Sequence, residues 1–174
     1  MANKEALREL QTRLASLLQA AKTRPRARGW LAVECAGQGL LLPLAQAGEI
    51  FPLRVLLKLP HAKPWLSGVA QLRGDLYSVI DLAAFLGLRP VQADVAAGTG
   101  QLVMLAPALH VNAALRVDRL AGLRGEDQLE RQPDPTGVRP AFAAAQWKDA
   151  QGGLWQELDL GALAVDGAFL DVMV

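Results

Sequence analysis

Trp65-Leu66-Ser67-Gly68-Val69-Ala70-Gln71-Leu72-Arg73-Gly74-Asp75-Leu76-Tyr77-Ser78-Val79-Ile80-Asp81-Leu82 reads as two short apolar strands joined through Gly74-Asp75. A glycine at the first central position fits a two-residue turn of type II′, because that position sits at positive φ. Arg73 is then the end of the first strand, its guanidinium held beside the turn of a rigid ribbon. Gly68 leaves a gap in the side-chain surface of the same strand, where another backbone can approach closely. A fixed cation beside an open notch suits the docking of a partner better than bond chemistry.

The rest of the chain sets the bounds. Its 174 residues suit one domain, or two small subdomains sharing a core. Apolar residues make up 52%, enough for a sizeable core. No apolar run reaches the roughly 18 residues expected of a membrane span. Charged residues are spaced through the N-terminal leucines, so that stretch is not a secretory signal. Eighteen Lys and Arg against 17 Asp and Glu argue against a strongly basic nucleic-acid binder. Cys35 is the only cysteine, so no intrachain disulfide forms. These features describe a soluble, cytoplasmic, globular protein.

Residues 1–22 read as an N-terminal amphipathic helix, centred on Lys4 to Lys22. Leu7, Leu10, Leu14, Leu17, Leu18 and Ala21 follow the three-four spacing of one face. An isolated helix of this length is marginal, so it needs a surface, either on its own domain or on a partner. Residues 23–29 form a basic linker with Arg24, Arg26 and Arg28, and residues 30–174 form the main domain. Short strands then alternate with turns: Trp30 to Cys35, Leu40 to Leu44, Glu49-Ile50, and Val55 to Leu59. Asp81 reads as the N-cap of a helical turn, Leu82 to Leu86, closed by Gly87. Arg89 to Gly100 reads as a loop, followed by strands at Gln101 to Leu105 and Val111 to Val117. Gly125 to Arg139 reads as a long connection. Phe142 to Lys148 and Leu154 to Leu160 flank a hairpin turn at Asp149 to Gly153, and Gly161 to Ala164 makes one helical turn. Many short strands at modest spacing favour barrels or a sandwich.

Catalytic ingredients are scarce. The two histidines, His61 and His110, lie in different segments. Cys35 has no glycine-rich elbow and no basic neighbour, and the serines lack a Gly-x-Ser-x-Gly context. No zinc, calcium or phosphate-loop spacing occurs, so no cofactor or metal is expected. Asp75 with Asp81 is too weak a carboxylate pair to name a hydrolase. Four candidates for recognition remain: Arg73, Glu49 on a strand edge, Trp65 and Trp155, which read as core, and Lys58 and Lys63, which bracket Leu59-Pro60-His61 and read as keeping that edge soluble.

Ala47-Gly48-Glu49-Ile50, Leu59-Pro60, the Trp65 to Gly74 run and Val79-Ile80-Asp81-Leu82 together resemble the CheW-like domain, the coupling module of bacterial chemosensory arrays. The resemblance runs from about Trp30 to Ala164, with Val111 to Leu123 similar to the family's later strand pair. The N-terminal helix, Trp65 after Lys63-Pro64, and the tail Gly167 to Val172 resemble the member that serves type IV pilus (twitching motility) signalling. The resemblance implies a mainly β fold, a pair of packed five-stranded (SH3-like) β-barrels over a shared core, with the N-terminal helix and short helical turns. It implies a non-catalytic adaptor bridging the cytoplasmic tip of a methyl-accepting chemoreceptor and the regulatory domain of a CheA-type histidine kinase. Such an adaptor is cytoplasmic, recruited to membrane-associated arrays, and neither binds nucleic acid nor inserts into the membrane. Glu49, Ser67, Gly68, Arg73 and Gly74 match its partner-binding positions. Ser78 stands where many members have proline, and Asp75 places a negative charge where it is not usual. Flagellar chemotaxis is the alternative pathway, and a small-barrel nucleic-acid binder using the arginines of the linker is the alternative of another class.

Overall fold

The computed structural model describes residues 9, 12, 13, 15, 16, 28–90 and 99–174. In chain order the first strands are β1 (Gly29–Cys35), β2 (Gln38–Pro43), β3 (Ala47–Pro52), β4 (Leu66–Leu72), β5 (Asp75–Asp81) and β6 (Gln101–Leu105). The series continues with β7 (Ala113–Val117), β8 (Arg119–Gly125), β9 (Leu129–Arg131), β10 (Ala143–Asp149) and β11 (Leu154–Leu158). Three short helices, α1 (Leu82–Phe85), α2 (Leu160–Ala164) and α3 (Gly167–Leu170), pack around them. One sheet has six strands in the order β8-β1-β2-β11-β10-β9, and the other has five in the order β3-β6-β7-β5-β4. Neighbours are antiparallel except for β2 with β11 and β5 with β7.

The period-two alternation of the strands is shared between different cores. In β1, Leu31, Val33 and Cys35 enter a large cluster between the sheets, while Trp30 and Ala32 enter a second cluster. In β6, Val103 and Leu105 join the shared cluster, while Leu102 and Met104 face a third with Ala70, Leu72, Val79 and Ala114. Strands buried on both faces read as continuous apolar runs rather than clean alternation. The second cluster draws on all six strands of its sheet, from Ala121 of β8 to Leu129 of β9. The third includes Phe51 of β3 and Ala70 of β4, the two ends of the five-stranded order. Each sheet must therefore curl around its own cluster.

The expectation of two five-stranded barrels is corrected in one half, where β9 adds a sixth strand within the stretch read as a long connection. Both strand orders are open rather than closed rings. β8 also runs two residues past the Leu123 limit of the expected strand pair, because an edge strand with Arg119, Gly122, Arg124 and Gly125 carries little apolar signal. Val55 to Leu59 is not a strand; of it only Leu57 makes a β-bridge, to Val69. The β1–β2 turn is two residues, Ala36 and Gly37, at φ 50° and 78°. Asp81 caps α1 as expected, its Oδ1 accepting from the Ala84 N–H at 3.2 Å. The Asp149 to Gly153 turn is held by the Asp149 carboxylate, which accepts from the Gly153 N–H at 2.8 Å and the Trp155 indole at 2.9 Å. The indole first, and the Gly153 N–H second, hold that carboxyl below its usual range. Of the expected helix over Lys4 to Lys22, only Glu9, Thr12, Arg13, Ala15 and Ser16 are described, all helical and exposed; its leucine face and the arginine linker up to residue 27 lie outside the described residues.

An ionic joint ties the sheets together. Arg89 donates through Nη2 to both Asp81 oxygens at 3.0 Å and through Nη1 to Asp118 Oδ1 at 2.8 Å. Asp118 Oδ2 accepts from the Ala36 N–H at 2.7 Å, which anchors the β1–β2 turn to the β7–β8 corner. Burial works against the Arg89 charge, but the bonds to Asp118 and Asp81 outweigh it and raise its pKa. Arg116 sits opposite Asp81 in the parallel register, is buried, and is lowered by that burial. The Nε atoms of both arginines are buried without a partner.

Two outcomes follow for equilibrium unfolding in urea. Arg89→Ala leaves Asp81 buried without its hydrogen-bonded ion-pair partner and lowers stability by about 3 kcal/mol, the low end for a broken buried pair because Asp118 is partly exposed. Gly39 lies opposite Trp155 in register, and a Cβ there would meet the indole at 2.6 Å. Gly39→Ala therefore costs roughly 1–3 kcal/mol through overpacking.

Candidate functional site

The hairpin turn differs from the expected type II′ geometry. Leu72 pairs with Asp75, so the central residues are Arg73 and Gly74, at φ 55° and 89°. Positive φ at both positions is the type I′ pattern, which matches the twist of the flanking strands and ordinarily favours Asn-Gly. Arg73 is thus the first turn residue rather than the end of a strand, and Asp75 begins β5. A left-handed non-glycine residue costs roughly 1–2 kcal/mol. Arg73 shares this left-handed conformation with Ala36, His61 and His110.

The sequence analysis named Arg73 and Glu49 separately; the structure brings them together. Arg73 donates to Glu49 Oε2 through Nε at 2.8 Å and through Nη2 at 2.7 Å. Glu49 lies on β3 and Arg73 on the turn after β4, the opposite ends of the five-stranded order. The ion pair therefore spans the opening of the curled sheet. Its side chains are 66% and 52% exposed, so it is worth only about 0–1 kcal/mol and is easily exchanged. No signal in the sequence pairs residues 24 positions apart on non-adjacent strands.

Gly68 does accept a close backbone, but the notch is not open. Its φ is 144°, and an added Cβ would lie 2.6 Å from the Leu57 carbonyl oxygen. Leu57 and Val69 exchange backbone hydrogen bonds of 2.9 and 2.8 Å across it. The segment read as a strand from Val55 to Leu59 is this plug. Ser67 is half-buried beside Gly68, and Gly74 is exposed at the tip, where an added Cβ would meet nothing within 4 Å. Ile50, Val55, Leu57 and Leu76, all exposed, lie on the strands and plug that carry these residues. Asp75 is exposed and takes no part in the Glu49–Arg73 pair.

The weak catalytic candidates are dispersed. Cys35 is buried in the shared cluster, and burial, then the Asp118 charge, push its thiol up to about 12. His61 and His110 are exposed on surface turns at φ 54° and 55°. Asp81 is committed to capping α1 and to Arg89.

A groove of about 1260 Å³ lies elsewhere, against the six-stranded sheet, and contains none of the five expected site residues. Arg28, Leu44, Ala144, Trp147 and Glu157 are among its walls. Glu157 accepts from the Trp30 indole at 3.0 Å and from the Trp147 indole at 2.8 Å, joining two rings whose centroids are 5.0 Å apart.

Residues 29–167 match the family model described as the CheW-like domain. The chain is 28% identical to Protein PilI of Pseudomonas aeruginosa over 168 residues, 93% of this chain and 89% of that protein. The crystal structure of scaffolding protein TtCheW from Thermoanaerobacter tengcongensis superposes with a TM-score of 0.64 at 20% identity, covering 79% of this chain and 88% of the other.

Two measurements probe this geometry. Arg73→Gly leaves the unfolding free energy within about 1 kcal/mol, since relief of the left-handed strain offsets the lost exposed ion pair and the added chain entropy. Native protein at neutral pH leaves Cys35 unreactive toward a thiol-specific disulfide reagent, and one equivalent reacts once denaturant is added.

Proposed function

Because the chain belongs to the CheW-like domain family, whose members are scaffolds and not enzymes, we propose that it couples a methyl-accepting chemoreceptor to a CheA-type histidine kinase in a type IV pilus chemosensory system. One observation carries this reading. The Glu49–Arg73 pair stands exposed at the mouth of the curled sheet, held by a turn that spends backbone strain to keep an arginine there. A partner carboxylate that replaces Glu49 on Arg73 gains a charge-assisted hydrogen bond of roughly 1.5–3 kcal/mol. The pair it displaces is worth about 0–1 kcal/mol. The difference changes affinity by up to about one to two powers of ten, enough to make a modest interface switchable. The exposed apolar side chains Ile50, Leu57 and Leu76 supply the desolvated contact around that charge.

In this role Arg73, Gly74 and Glu49 meet the partner directly. Gly68 and Ser67 act by seating the Leu57 plug that shapes the neighbouring surface. Receptor and kinase bind one rigid body, so receptor motion biases kinase conformation through geometry alone. No helix among the described residues is long and apolar enough to cross a membrane, and the proposed residence is cytoplasmic, at membrane-associated arrays. The similarity to Protein PilI favours the pilus pathway over flagellar chemotaxis.

Co-purification from the native cell tests the reading. The wild-type chain retains a receptor and a histidine kinase, and Arg73→Gly loses about tenfold or more of one of them while its unfolding midpoint holds. Full retention by Arg73→Gly removes Arg73 from the interface. Deleting the gene abolishes twitching and leaves swimming intact; the reverse phenotype moves the protein to the flagellar pathway.

A further inference from the structure

β4 is an edge strand of the five-stranded sheet; it carries Ser67 and Gly68 and leads straight into Arg73 and Gly74. Leu72 and Asp75 flank the two-residue turn and bond to each other, as Ala70 and Tyr77 do one step back. The main-chain groups of Val69 and Gln71 therefore point away from β5. Val69 shows that direction, since its N–H donates to the Leu57 carbonyl at 2.8 Å and its carbonyl accepts from the Leu57 N–H at 2.9 Å. Continued antiparallel, the same pairing would set Val55 opposite Gln71. It stops short: the Leu57–Val69 bridge is isolated, the Leu53 N–H is spent on the Gly100 carbonyl at 3.3 Å, and Val55 is exposed. Among the described residues no main-chain group meets the outward N–H or carbonyl of Gln71, whose side-chain amide donates to the Gly74 carbonyl at 3.4 Å.

The other described edges are blunted in the ways that discourage strand addition. β3 slips register against β6 before Ile50 and ends in Pro52. β8 slips register against β1 beside Gly122. β9 is three residues long, and Pro133 follows it closely. β4 slips register only between Leu66 and Gly68, beside the stretch that Leu57 covers. From Gly68 to Leu72 its pairing is regular, and Gln71 is exposed and uncharged. Leu76, directly opposite Gln71 in the hairpin, is exposed, as are Leu57 and Val55. Arg73 lies two residues on, about 7 Å along a strand.

We propose that an extended segment of the partner adds to β4 at Gln71. It exchanges both main-chain hydrogen bonds there, lays an apolar side chain on Leu76, and places a carboxylate on Arg73. This rests on the reading of Arg73 as the docking residue and says what form the docking element takes. Glu49 and Asp75 stand beside Arg73, so no broad positive field draws the segment in; its carboxylate is recognised by Arg73 itself, in exchange for Glu49. The occupant is an extended acidic and apolar peptide segment; this chain's own Val55 and a second copy are the competing occupants.

The test uses the full chain, with the receptor or kinase that it retains from the native cell, identified by mass spectrometry, as the probe. Gln71→Pro removes the outward N–H, which no bond within the fold uses, and an edge strand tolerates proline at such a position. Gln71→Ala removes the side chain and keeps both main-chain groups. Gln71→Pro loses about tenfold or more of the retained partner, Gln71→Ala loses less than about twofold, and both keep the unfolding midpoint. In hydrogen exchange the Gln71 amide is open in the free protein, and the partner slows it about tenfold or more. That measurement stands on the wild-type chain even where Gln71→Pro shifts the midpoint. Full retention by Gln71→Pro with an unprotected Gln71 amide overturns strand addition and leaves the coupling reading intact. Equal losses in the two variants assign the contact to the side chain and overturn it too. Protection of Gln71 in the free protein also overturns it, assigning the edge to Val55 at all concentrations or to a second copy at high concentration alone. A wild-type chain that retains neither receptor nor kinase overturns the coupling reading, and this inference with it.

Discussion

The central strands must satisfy two cores at once, and the architecture depends on that constraint. Leu31, Val33, Leu40 and Leu42 from one sheet meet Val103, Leu105, Leu115 and Ile80 from the other in a single cluster. Their alternate neighbours, Trp30, Ala32 and Leu41 on one side and Leu102, Met104, Val79 and Ala114 on the other, fill two smaller clusters. A strand slipped by one residue would exchange the contents of two cores, so register is tightly specified. The curl of each sheet follows, since each inner cluster draws on strands from both ends of its order.

Polar groups are confined to joints where that packing needs direction. Arg89 holds the end of β5 to the β7–β8 corner through Asp81 and Asp118, and the same Asp118 anchors the β1–β2 turn. Buried ion pairs of this kind add little net stability but penalise alternatives strongly when one partner is missing. Glu157, between two indoles, does a similar orienting job inside the six-stranded sheet. The two sheets are thus joined by apolar packing and by a few charge-assisted bonds at one corner.

Against this rigid body, the Glu49–Arg73 pair is the exception: exposed, weak, and carried on a strained turn. It lies where the five-stranded order is open, with plug residue Leu57 filling the other gap at Gly68. A binding module needs such a place, rigid in backbone and cheap to exchange in side chains.

Much of this was legible in the residues themselves. Short strands, the hairpin at Asp149 to Gly153 and the cap at Asp81 follow from turn chemistry and apolar spacing, which are local. The cation at the hairpin tip was legible too, because Arg-Gly at a turn is a local signal. The turn type was not: whether Arg73 or Gly74 takes the first central position depends on strand register, and the cores decide that. Edge strand β9 and the far end of β8 were hidden because partial burial leaves them little apolar pattern. The Leu57 plug and the Glu49–Arg73 pair belong wholly to the tertiary structure, since each joins segments that only the curl of the sheet brings together. The sequence by itself determined which groups were available for recognition; the fold decided which of them meet, because distance across a curled sheet is not encoded in spacing along the chain.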